Sequence, residues 1–96
     1  MFQDMENEVK ELRQDLETGF KMANPTYQVK ATMILAVVQL LVFIELIRNS
    51  QHSEERRELY NEFRRQKESI EKGIQVLKQT RTMGATRPIS QSGNLS

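Results

Sequence analysis

The sequence predicts an all-α, elongated chain in which one central transmembrane helix is flanked by amphipathic, coiled-coil-like helices. Three observations carry that expectation. Residues 31–47, ATMILAVVQLLVFIELI, hold 14 apolar residues in 17 and a formal charge only at Glu45. On both sides of this block, large apolar residues recur at alternating steps of three and four, which lines them up along one face of a helix. The only prolines are Pro25 and Pro88, so the interval between them is open to helix.

The first element is expected over residues 1–23. Phe2, Met5, Val9, Leu12 and Leu16 follow one another at spacings of 3, 4, 3 and 4. Charged residues such as Glu6, Glu8, Lys10, Glu11 and Arg13 occupy the other faces, and the next seam position falls on Gly19. About two and a half heptads make a marginal helix alone, so this stripe calls for a partner, a surface or the rest of the chain.

A break follows. Gly19 weakens a helix by about 1 kcal/mol relative to Ala, and Pro25 disfavours helical backbone at Asn24. Asn24 reads as the N-cap of the next helix and Pro25 as its first residue. From residue 26 to 79 there is no proline and one glycine, Gly73. One continuous helix is therefore allowed, with Asn49, Ser50 and Ser53 as the places for a bend or short loop.

Residues 24–50 form the expected membrane-crossing unit. The apolar residues of 31–47 surround the helix, so packing one stripe on a partner would leave Ile34, Val37, Leu41 or Ile44 in water. At 1.5 Å per residue the block covers roughly 25 Å, and residues 26–30 complete a span near 30 Å. Twelve strong hydrophobes at about 0.4 kcal/mol each favour insertion by roughly 5 kcal/mol; a terminal Glu45 costs less than the roughly 3 kcal/mol of a charge at the helix centre. Gln39, the polar group near mid-span, suits a hydrogen bond to another helix. Glu45 can pair with Arg48 at i,i+3. Basic residues after the block slightly outnumber those before it, which places the C-terminal segment on the cytoplasmic or equivalent side, and the late start of the block does not resemble a cleavable signal peptide. The competing reading is a soluble helical scaffold subunit whose apolar helix is buried in a large oligomer or particle.

Residues 51–83 form the second amphipathic segment. Tyr60, Phe63, Lys67, Ile70, Ile74 and Leu77 keep spacings of 3, 4, 3, 4 and 3, with Lys67 interrupting a dry seam. Carried backward, the same phase reaches Leu46, Val42 and Gln39, so these three are expected to face the helical neighbour that Tyr60, Phe63, Ile70 and Ile74 contact. The helix-partner interface expected from sequence is thus Met5, Val9, Leu12, Leu16, Gln39, Val42, Leu46, Tyr60, Phe63, Ile70, Ile74 and Leu77. Residues 84–96 read as a flexible tail beyond a helix end near Met83 and Gly84, with Met83, Ile89 and Leu95 as its docking groups.

Chemistry is sparse. There is no Cys and one His, His52, so no disulfide framework or zinc site built from Cys and His is expected. The glycines are scattered, with no phosphate-cradling motif. Fourteen basic and 13 acidic side chains give a net charge of +1, which sets up no field toward nucleic acid. No catalytic residue, metal site or cofactor is expected. The predicted partners are a lipid bilayer and helical subunits, either further copies of the chain or components of a larger complex. The predicted role is a non-enzymatic, single-span assembly, tethering or accessory subunit. A pore is a weaker expectation, since Gln39 alone makes a poor channel lining.

Overall fold

A computed structural model describes the backbone of residues 2–90 and the side-chain surroundings of residues 2–79. The chain is all-α: α1 (Phe2–Ala23), α2 (Tyr27–Asn49) and α3 (Ser53–Ser90) form a three-helix bundle, 60 × 22 × 20 Å. Every pair of helices is in contact. The two amphipathic helices lie alongside α2. Connections of three residues, 24–26 and 50–52, let the chain reverse at both ends of α2, and the pairs Glu6–Arg48, Glu8–Arg64 and Asp15–Lys78 show α2 antiparallel to its neighbours and α1 parallel to α3.

Each reversal has its own local chemistry. Asn24 takes a left-handed conformation with φ 47°, and its N–H donates to the Phe20 carbonyl at 2.7 Å, closing the last turn of α1. Asn tolerates this region better than most residues, and proline commonly follows such a C-cap. The N-cap expected at Asn24 is therefore displaced: Thr26 holds that position, its Oγ1 accepting from the Val29 N–H at 3.3 Å, and α2 begins at Tyr27 rather than Pro25. At the other end, the Ser50 N–H donates to the Ile47 carbonyl at 3.2 Å, and the Ser50 hydroxyl donates to Glu55 in the first turn of α3 at 2.7 Å. The polar run Asn49–Ser50–Gln51–His52–Ser53 thus holds a break, and the continuous helix is not formed.

The core takes four residues from each helix: Met5, Val9, Leu12 and Leu16; Val37, Leu40, Ile44 and Ile47; Phe63, Ile70, Ile74 and Leu77. In α1 these are the seam the spacing predicts, and the partner it requires is supplied within the chain. Burying a Leu, Ile or Phe side chain contributes roughly 1.5–3 kcal/mol each, which outweighs the marginal helicity of so short a segment. Gly19 continues the α1 seam against α3: a Cβ there would lie 3.4 Å from the Leu77 Cδ1.

The backbone of α3 continues to Ser90, past the expected stop at Met83 and Gly84. Pro88 still removes a donor from the helical ladder, at about 3 kcal/mol in a helix interior, but it stands two residues from the end, where few rungs follow it. Residues 91–96 of the expected tail, including Leu95, lie outside the described residues, as do the side chains of Met83 and Ile89.

Candidate functional site: the uncovered face of the central helix

An α-helix that is apolar all round has two apolar faces, and the bundle uses one. Val37, Leu40, Ile44 and Ile47 turn inward, at spacings of 3, 4 and 3. The opposite face carries Ile34, Leu35, Val38, Leu41, Val42 and Leu46, all between 45% and 68% exposed. Only 22% of the most apolar 18-residue window of α2 is buried. Isolated exposed apolar residues are ordinary on proteins, but a contiguous stripe along most of a helix marks an interaction surface. By length and composition α2 is also apolar enough to cross a membrane.

The α1 side of this face is grooved. Val9, Leu16 and Phe20 of α1 and Ile34, Val38 and Leu41 of α2 line a depression of about 450 Å³, with Glu6, Lys10, Arg13 and Glu17 contributing charge around it. Lys10, Arg13 and Glu17 thus place charges of both signs along α2, and Glu6 lies toward its C-terminal end.

An ionic frame fixes the helices that present the face. Arg48, at the end of α2, donates to Glu45 on its own helix and to Glu6 of α1 at 2.9 Å, and its guanidinium lies 5.3 Å from the Phe2 ring centroid. The Glu45–Arg48 pair expected from spacing is present. The hydrogen bond to Glu6, opposed by partial desolvation and helped by the charges of Glu45 and Glu6, raises the Arg48 pKa further above its usual value. Between α1 and α3, Arg64 donates to Glu8 at 2.8 Å and Lys78 to Asp15 at 2.5 Å.

Lys67 occupies a seam position without breaking the seam. Its side chain is 17% exposed, with the stem laid along the interface and the ammonium 3.0 Å from Glu71 and 3.4 Å from Glu8. Burial pushes its pKa down, while the hydrogen bond and charge of Glu71 and the charge of Glu8 push it up and prevail, leaving it above the ordinary lysine range.

The residues of the expected partner interface separate into two groups. Met5, Val9, Leu12, Leu16, Phe63, Ile70, Ile74 and Leu77 meet in the intramolecular core, and Tyr60 packs half-buried against it, stacked on Phe63 at 6.4 Å. Gln39, Val42 and Leu46 stand apart on the outer face of α2. Within the chain they do not face the neighbour that Phe63, Ile70 and Ile74 contact. The reversal at residues 50–52 breaks the helical phase that joined them in sequence. Of the residues that sequence reasoning left in water, Ile34 and Leu41 are on the outer face, whereas Val37 and Ile44 are in the core; Val38 was not singled out, and its signal was the heptad run Ala31, Leu35, Val38, Val42. Among the described residues no three His, Asp or Glu side chains gather in a metal-binding arrangement.

Comparison with protein-family models, curated protein sequences and solved structures finds no match to this chain.

Proposed function

We propose that the chain is a non-catalytic helical scaffold subunit, a soluble bundle whose uncovered α2 face is enclosed by other protein in an oligomer or particle. The observation that carries this reading is the direct packing of α1 on α3, through Glu8–Arg64, Asp15–Lys78 and the approach of Gly19 to Leu77. A single pass of α2 through a bilayer would put α1 and α3 on opposite sides of about 30 Å of hydrocarbon. The two arrangements exclude one another.

Carrying the closed bundle into lipid is no remedy. Lys10, Arg13 and Glu17 lie beside the middle of α2. An unpaired charge at that depth costs about 2.5–3.5 kcal/mol, so Lys10, together with the Arg13–Glu17 pair at 3.7 Å, offsets a large part of the roughly 5 kcal/mol gained by inserting the apolar block. A single span of α2 requires the bundle to open and its core to be exposed. The length and apolar outer face of α2 favour a second reading, a single-span anchor formed by such opening.

Detergent-free expression, flotation with liposomes and carbonate extraction of membranes separate the two. The scaffold reading expects a soluble, defined oligomer that stays out of the lipid layer; retention in carbonate-washed membranes would overturn it.

A further inference from the structure

We infer that the protein covering α2 is a second copy of this chain, laid antiparallel along the stripe about a two-fold axis near Val38. This rests on the scaffold reading and names its partner. An interface between identical copies must be self-complementary about its axis. The α2 stripe meets that requirement at three pairs of positions, Ile34 with Leu41, Leu35 with Val42 and Lys30 with Glu45.

At 100° per residue, Val38 lies at the middle of the stripe, which divides into two edges. The edge toward α1 carries Lys30, Ile34, Leu41 and Glu45; Ile34 and Leu41 line the groove, and Arg48, next along the same side, reaches Glu6 of α1. The edge toward α3 carries Leu35, Val42 and Leu46. In an antiparallel two-fold pair each edge meets its own equivalent. Centring on Val38 places Ile34 opposite the partner's Leu41 and Leu35 opposite the partner's Val42, each twice. It also brings Lys30 within reach of the partner's Glu45, again twice. The parallel alternative sets the edge of Lys30 and Glu45 against the uncharged edge of Leu35, Val42 and Leu46, so neither charge meets an opposite one, and it aligns the two helix dipoles unfavourably.

Space and charge agree with this pairing. The grooves between α1 and α2 lie on the edges that meet, so each can receive side chains from the other copy. Glu6, Lys10, Arg13 and Glu17 around them are of both signs, so the approach is not opposed by a single-sign field. Val38, Leu35 and Val42 are 47%, 68% and 49% exposed in the single chain, leaving them available for contact.

The chain has no Cys, which makes position-specific cross-linking clean. Chains carrying Leu35→Cys and chains carrying Val42→Cys are mixed and oxidised. The mixture is expected to give a disulfide-linked dimer of the two variants. Either variant alone is expected to give little, because like positions are offset by about 10 Å along the axis, beyond disulfide reach. In sedimentation equilibrium, Lys30→Glu weakens the dimer about tenfold by turning two exposed pairs repulsive, and adding Glu45→Lys to it recovers the dimer. A soluble chain that stays monomeric overturns the self-pairing and leaves enclosure by a different protein standing. Preferential linkage of like positions overturns the antiparallel register. Insertion into liposomes overturns the scaffold reading on which the pairing rests.

Discussion

Lys67 shows how one charge fits a seam that periodicity alone marks as interrupted. The spacing of α3 places it between Phe63 and Ile70, and the structure turns its ammonium out to Glu71 and Glu8. Because the folded pKa is raised, the stabilisation from this group is complete below the ordinary lysine value of about 10.4 and is lost as pH rises through the higher folded value. The chain should therefore exceed a Lys67→Gln variant in stability by up to about 1 kcal/mol between pH 7 and 10, with the difference closing at more alkaline pH. Chemical unfolding of both proteins across that range checks it. A gap that widens above pH 11 would show that Lys67 is held as the neutral amine. The residue-scale error of sequence reasoning lay at Asn24. The break was legible from Pro25, but both Asn24 and Thr26 are good capping residues, and only the backbone conformation decides which of them starts a helix.

Among the elements, α1 and α3 were legible because charged residues on their outer faces leave the apolar seams in a single phase. Helix α2 was not, for the converse reason: with apolar residues on all sides it carries no phase of its own, and projecting one from α3 across residues 50–52 selected its outer face. The two faces of α2 give a paired test. Leu40 is fully buried and Leu35 is 68% exposed, so the same truncation removes the same atoms from opposite environments. Leu40→Ala should cost the dissociated chain about 2–5 kcal/mol in denaturant unfolding, and Leu35→Ala less than about 0.5 kcal/mol. Equal losses would mean that the packed face of α2 is misassigned.

For the whole molecule, the all-α class follows from pattern, but the break at residues 50–52 was one of two readings left open and the arrangement was not legible. An apolar helix of this length suits lipid or a bundle equally, and the choice depends on the neighbours its short connections allow. Three-residue turns at both ends of α2 bring α1 and α3 to the same side, where Glu8, Asp15 and Gly19 find Arg64, Lys78 and Leu77. The most direct test uses this juxtaposition. Gln14 and Glu71 line one shallow depression between α1 and α3. Spin labels attached through Gln14→Cys and Glu71→Cys, with the labelled chain diluted in unlabelled protein, report their separation by pulsed electron resonance. The closed scaffold bundle predicts a distance within about 20 Å, the spacing of packed helices plus the label arms, unchanged by added lipid vesicles. A shift beyond about 30 Å on addition of vesicles, with a hydrocarbon layer between the two helices, would contradict it.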